Sequence, residues 1–425
     1  VTHRQYSEFN KMKKDEKKTF GPELINMYEK IIDMGYTEEG VYFELSTIYY
    51  EIGNYKMALD TYKTCTGKGK AMYIVGCMYR DGKGTAQNEN SALKYLKKAA
   101  DMGYTFDVGP ECEFFLFHTD DYGQPTVITH EKAGYFDLGP IDLGENARRD
   151  MVLTLEDMGF EIEASHHEIA PAQHEIDFQY TDALRAADNI MTFKMAAKTI
   201  AKRHGLHATF MPKPREGMNG SGMHINMSLS DKEGRNLFAD DQDALRLSRD
   251  AYYFMAGILR HMKAMTILTN PLVNSYKRLI PGFDAPIYIA WSPTSNRSSL
   301  IRIPSPRGES TRIELRCPDS AMNPYLALAA CLSAGLDGIE KKIGLPACVE
   351  GNMFTMEPEE LRERNVERIP ETLGDAIEAY NGDSFMKEVL GEHIYTKYLE
   401  AKEQEWRDFR AQVTDWEVSQ YLYKY

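Results

Sequence analysis

The chain has 425 residues, 43% of them apolar and 27% charged, with a formal net charge of −14. This length suits two or three domains with a sizeable core, and the composition excludes an intrinsically disordered chain. No run approaches 18 apolar residues, which excludes a transmembrane helix, and the acidic balance argues against nucleic acid as a partner.

The first residues, VTHRQYSEFNKMKKDEKK, hold no apolar h-region, so no secretory signal is expected and the cytoplasm is the expected compartment. The first residue is Val1 rather than Met, which fits a fragment or a processed form. Six cysteines (Cys65, Cys77, Cys112, Cys317, Cys331 and Cys348) form no CxxC pair, as expected for reduced thiols rather than a zinc ribbon or disulfide framework. Charge divides the chain. Residues 1–105 carry 16 Lys and Arg against 14 Asp and Glu, whereas the remaining 320 residues carry 34 against 50. Such a shift points to two units of different origin. The basic run Lys11, Lys13, Lys14, Lys17 and Lys18 is interrupted by Asp15 and Glu16 and reads as a solvated helix face.

The first unit reads as helical repeats. Asp33-Met34-Gly35-Tyr36-Thr37 recurs as Asp101-Met102-Gly103-Tyr104-Thr105, an offset of 68 residues, or twice 34. Tyr42, Leu45, Ile48 and Tyr49 form one helical stripe ended by Gly53. Met57, Leu59 and Tyr62 form the next, followed by Met72, Val75 and Tyr79, the turn Asp81-Gly82-Lys83-Gly84, and Ala92, Tyr95, Leu96, Ala99 and Ala100. A 34-residue helix–turn–helix period is the mark of a solenoid, whose apolar stripes form the inter-helix core. The segment AMYIVGCMYRDGKGTAQNENSALKYLKKAADMGYT resembles a Sel1-type repeat, a relative of the tetratricopeptide repeat. That resemblance implies a protein partner for residues 1–104.

From Val108 the pattern changes to strands. In VGPECEFFLF, Glu111 and Glu113 share one strand face, since side chains alternate. Two like charges among Phe residues suit a hard divalent cation, with a solvated strand face as the rival reading. FEIEASHHE and HEIDFQY read as a hairpin turning at Pro171. Ile176, Phe178 and Tyr180 fall on one face, with Glu175, Asp177 and Gln179 on the other. Glu168 and Glu175 flank the turn, and His166, His167 and His174 are ligands, phosphate donors or satisfied polar residues. GMNGSGMHINMS is a Gly-rich loop feeding a strand, with His224, Asn226 and Ser228 on one face and Met223, Ile225 and Met227 on the other. It is neither a Walker A loop nor GxGxxG. Arg278 follows in SYKR, then Arg297 and Arg302 in NRSSLIRIP. In RIELR, Arg312, Glu314 and Arg316 share a face opposite Ile313 and Leu315. Glutamates and a histidine on strand faces, with arginines nearby, read as a two-metal phosphoryl-transfer site.

The motifs VGPECEFF, HHEIAPAQHEID, NGSGMH, SYKRLIPGFDAP, NRSSLIRIP, RIELRCPD and NPYLALAACLSAGLDGI, in this order, resemble the catalytic domain of type I glutamine synthetase, here of the shorter α-type. The resemblance implies an α+β fold for residues 105–425: a curved antiparallel sheet bearing the metal ligands, backed by helices. It implies ligation of ammonia to L-glutamate, with ATP as co-substrate and γ-glutamyl phosphate as intermediate. It further implies two Mg²⁺ or Mn²⁺ per site, one held by Glu113, Glu168 and Glu175 and the other by Glu111, His224 and Glu314. Arg278 and Arg316 would hold the glutamate carboxylates, with Asn219 and Gly220 nearby. Arg297 would stabilise the transferring phosphoryl group, and His166 the intermediate. Arg302, Arg312, Ser228 and Tyr180 would serve the nucleotide. Asp284 stands where the family's flap carries Glu. The family's N-terminal β-grasp domain, which completes the neighbouring subunit's site in a double ring, has no matching strand pattern before Val108. A homo-oligomeric ligase is the first expectation. The second, of a different class, is a catalytically weak protein that binds these ligands and acts through its repeats.

Overall fold

The computed structural model describes residues 6, 9, 12, 14–34, 39–62, 98–294 and 296–425. The chain forms two compact units, Val1–Lys94 and Tyr95–Tyr425. The repeat features placed at Met72, Val75, Tyr79, the DGKG turn, Ala92, Tyr95 and Leu96 lie outside the described residues.

In the first unit, helices α1 (Lys14–Asp33), α2 (Glu39–Glu51) and α3 (Tyr55–Tyr62) enclose a small core. Leu45, Ile48 and Tyr49 of the expected stripe are buried there with Leu24 and Tyr28, and Tyr42 is half-buried. Gly53 follows α2 with φ +88°, the left-handed turn that a side chain would strain. On α3, Met57 is 42% exposed and Ala58 is buried. Lys17 of the basic run departs from the expected solvated face: its side chain is largely buried over the Phe9 ring, and its ammonium pairs with Glu51 at 2.9 Å.

The second unit is built on one eleven-stranded sheet. Its strands are β1 (Thr105–Thr119), β2 (Pro125–Thr129), β3 (Ile162–His167), β4 (Gln173–Phe178), β5 (Thr181–Asp182), β6 (Leu206–Thr209), β7 (Met223–Ser230), β8 (Tyr288–Ser292), β9 (Ser299–Arg302), β10 (Ile313–Leu315) and β11 (Glu367–Arg368). The main path runs β11-β8-β9-β10-β7-β1-β4-β3, with β2, β5 and β6 pairing β1 off it. Pairing is antiparallel except between β8 and β9, which run parallel, so the sheet is mixed rather than wholly antiparallel as expected. The return from β8 to β9 is pinned by Asn296, whose amide donates to the carbonyls of Val349 and Gly351.

Alternation along β1 explains its two faces. Cys112, Phe114 and Leu116 join the main core, where Phe114 meets Phe193 edge-on at 5.8 Å. Phe193 belongs to α5 (Ala183–Arg203), preceded in the chain by α4 (Glu145–Asp157). Asp182 caps α5 by accepting from the Arg185 N–H. Behind the sheet, α6 (Arg249–Thr269) packs against α8 (Pro324–Lys341), with the short α7 (Ser275–Arg278) between them in sequence. The two long helices approach through glycine. A Cβ on Gly257 would lie 1.9 Å from the carbonyl oxygen of Ala334. The four cysteines among the described residues are free thiols, three of them buried. No described helix is long and apolar enough to cross a membrane.

Candidate active site

The opposite face of the sheet carries the charged residues, and strand register groups them into rows. His166 on β3 lies across from Glu175 on β4, which lies across from Glu113 on β1. Asp177 on β4, Glu111 on β1 and His224 on β7 form the next row. Asn226 on β7, Glu314 on β10 and Arg302 on β9 form the third. Because residues two apart share a face, the three rows open onto one cleft.

That cleft encloses about 670 Å³ of empty space, part of it open to solvent. All six expected metal ligands line it, as do Asn219, Gly220, Arg278, Asp284, Arg297, Arg302 and Arg316. Ligating atoms of Glu111, His224 and Glu314 lie within 4.8 Å of one another, and so do those of Glu113, Glu175 and His224. Glu168 joins Glu175 and His166 in a third such group.

The electrostatics fit a cation. Burial pushes the Glu168 carboxyl up to about 7, with the charge of Glu113 adding to it. Glu175 is raised well above the carboxylate range by burial and by the charges of Asp177, Glu113, Glu111 and Glu168. Burial works the same way on Glu111, but hydrogen bonds from His224 and Asn226 and the charge of Arg302 outweigh it and hold the group at about 2. Glu111 accepts from His224 Nδ1 at 2.9 Å and from Asn226 Nδ2 at 2.9 Å. The crowding that raises the proton affinity of Glu168 and Glu175 is what Mg²⁺ or Mn²⁺ relieves.

The arginines are fixed by backbone carbonyls. Buried Arg278 donates from Nη1 to Cys317 O at 2.7 Å and from Nη2 to Arg316 O at 3.4 Å. Arg316 donates to Arg297 O at 2.7 Å and from Nε to Glu314 Oε1 at 3.1 Å, while Arg302 pairs with the other Glu314 oxygen. The loop glycines make room for this. A Cβ on Gly222 would fall 2.5 Å from Arg278 Nη2, and one on Gly220 would fall 2.2 Å from Pro212 O. Asp284 adopts φ +55°, a left-handed conformation that Asp tolerates better than most residues, and its carboxylate lies 3.9 Å from Arg297 Nη1.

Four expected site residues lie off the cleft wall. His166 sits just behind it, with Nε2 3.2 Å from Glu175 Oε2 and Nδ1 3.8 Å from Glu168 Oε1. Arg312 reaches the second row through Asn226, donating to its Oδ1 at 3.1 Å. Ser228 lies farther along β7, and Tyr180 lies beyond the end of β4, 58% exposed, so it does not continue the Ile176–Phe178 face. Of the three histidines, two are engaged by side chains away from the cleft. His167 bonds Glu131 Oε1 at 2.9 Å, and His174 accepts from Arg148 Nη1 at 2.9 Å. Sequence reasoning left Gln173 and Tyr135 out of the site. Gln173 shares a face with Glu175 and Asp177, so alternation was a usable signal. Tyr135, 5.8 Å beneath the Arg297 guanidinium, sits in an irregular segment and offered none.

The family profile for the glutamine synthetase catalytic domain matches residues 89–421, and a Sel1 repeat matches residues 69–104. A glutamine synthetase from Clostridium saccharobutylicum is 54% identical over 360 residues, 84% of this chain and 81% of that protein. One from Staphylococcus aureus is 52% identical over 362 residues, with the same coverage. Among solved structures, a GmaS/ADP complex superposes with a TM-score of 0.71 at 34% identity, covering 78% of this chain and 76% of the other, and GmaS without ligand gives 0.69. With this profile spanning most of its length and relatives more than half identical, the chain belongs to the glutamine synthetase family.

Proposed function

We propose that this protein is an ATP-dependent glutamate–ammonia ligase that makes L-glutamine through γ-glutamyl phosphate. The observation that carries this reading is the convergence of five glutamates and His224 on one arginine-walled cleft. In this reading Glu113, Glu168 and Glu175 hold one Mg²⁺ or Mn²⁺, and Glu111, His224 and Glu314 hold a second. Bound there, the cations would neutralise phosphate oxygens and lower the charge repulsion between ATP and glutamate.

The chain's own groups do the rest. The rigidly held Arg278 and Arg316 suit bidentate recognition of the substrate carboxylates beside Asn219 and Gly220. Arg297, at the cleft mouth over Tyr135, is placed to meet negative charge growing on the transferring phosphoryl group. Arg302 and Arg312 serve the nucleotide phosphates, with Ser228 and Tyr180 farther along its path. His166 steadies the intermediate beside Glu175. Asp284 is the carboxylate nearest Arg297 on the flap and is the group proposed to take the ammonium proton. We place the enzyme in the cytoplasm as a homo-oligomer, with a protein partner for its repeats.

A second reading, a ligand-binding interaction protein, is favoured by the Sel1 repeat match. Assaying glutamine formation from glutamate, ammonia and ATP beside γ-glutamyl transfer separates the two. Ligase activity lost on Arg297→Ala supports the enzyme. Nucleotide and Mn²⁺ binding with neither activity supports the binding protein.

A further inference from the structure

We propose that Gln173 is a positioning residue that aims a single oxygen of Glu113 at a divalent cation and ties that oxygen to the glycine loop. The inference rests on the reading of Glu113 as a metal ligand and adds to it the group that orients it. Gln173 is 1% exposed, at the start of β4. Its amide orientation is fixed by chemistry. The carbonyl oxygen accepts from the Ala170 N–H at 3.1 Å, and the Gly220 carbonyl, which can only accept, takes an amide N–H at 3.1 Å. The second N–H of the same amide donates to Glu113 Oε2 at 2.9 Å.

Glu113 Oε2 receives a further bond, from the Gly222 N–H at 2.8 Å. Two donors occupy both in-plane lone pairs of that oxygen, so Oε1 is the atom left to face a cation. The frame around the pair is rigid. The Ser320 hydroxyl contacts both the Glu113 carbonyl at 2.7 Å and the Gly222 carbonyl at 2.9 Å, holding the β1 backbone against the loop. Glu113 therefore ligates through one oxygen, and Gln173 joins this ligand to the Asn219-Gly220 segment of the glutamate site. Groups that orient metal ligands in this way typically change metal affinity by about 10–100-fold when lost.

The test is Mn²⁺ titration of the full chain, read by the electron paramagnetic resonance of the free ion. The variants are Glu113→Gln, Gln173→Leu and Gln173→Asn, each with a metal-free melting curve. Glu113→Gln should abolish one class of site. Both Gln173 variants should weaken that same class about 10–100-fold and leave the other class unchanged. Wild-type affinity in the Gln173 variants overturns the positioning role while leaving the ligand reading intact. Equal weakening of every site alongside a lowered metal-free melting temperature makes Gln173 merely structural. An unchanged Mn²⁺ count in Glu113→Gln overturns the ligand reading itself. A crystal structure of the wild-type chain with Mn²⁺ tests the same point without any variant. The cation should sit on Oε1 with Gln173 still on Oε2, and a bidentate Glu113 or a displaced Gln173 refutes the proposal.

Discussion

Removing a charge from the cleft should stabilise the metal-free protein. Glu168 is the informative position, because its side chain is nearly buried and its carboxyl is raised to about 7 by burial and by Glu113. A carboxyl raised on folding stabilises the protein below its unfolded value, and that contribution is lost as pH climbs from about 4.5 to about 7. With about 1.4 kcal/mol per pH unit between the two values, the ionised side chain costs the folded state roughly 3 kcal/mol above pH 7. Relaxation of the crowded neighbours makes this an upper figure. Glu168→Gln removes the charge and keeps an oxygen for the Ile169 N–H, which donates to Glu168 Oε2 at 3.0 Å. In chelator at pH 8 the variant should therefore be more stable than the wild type by about 1–3 kcal/mol, and the gain should vanish near pH 5. Adding Mn²⁺ should reverse the order, because only the wild type retains the carboxylate proposed to hold it. Urea unfolding at the two pH values, with and without Mn²⁺, reads all of this. A variant destabilised equally at pH 5 and pH 8 in chelator would refute the charge-crowding argument.

Three further outcomes follow from the same geometry. Arg278→Lys loses the planar fork held on Cys317 O and Arg316 O, so KM for glutamate should rise about 10–100-fold with the nucleotide KM little changed, measured by steady-state kinetics. Gly222→Ala places a Cβ against the Arg278 guanidinium and disturbs the N–H that holds Glu113, so kcat/KM should fall by up to about 100-fold while circular dichroism stays native-like. Glu314→Ala strips Arg302 and Arg316 of a buried shared partner and should cost about 3–5 kcal/mol in metal-free unfolding, opposite in sign to Glu168→Gln.

Much of the site is legible in one dimension because strand alternation is a local property. Glu111 and Glu113 had to share a face, as did His224 and Asn226, and Met223, Ile225 and Met227 had to pack behind them. The ordered motifs carried the family. Alternation misled at Tyr180, where β4 had already ended, but it does set His174 on the face opposite Glu175 and His167 on the face opposite His166, leaving to the strand register which histidine meets the cleft carboxylates. That choice falls to His166, because Glu131 and Arg148 engage the other two from distant segments.

Register belongs to tertiary structure alone. Nothing near Glu111 in sequence places His224 opposite it, and nothing near Glu314 selects Arg302 and Asn226 as its cross-strand neighbours. Those rows depend on pairings between strands from about ten to more than a hundred residues apart, fixed by burial of the helix-facing side chains, since a slip of one residue would turn every carboxylate into the core. The parallel β8–β9 pair and the passage of Arg278 beside Gly222 are of the same kind. Composition and alternation state what each strand can present, and only the packed sheet decides which charges must share a space.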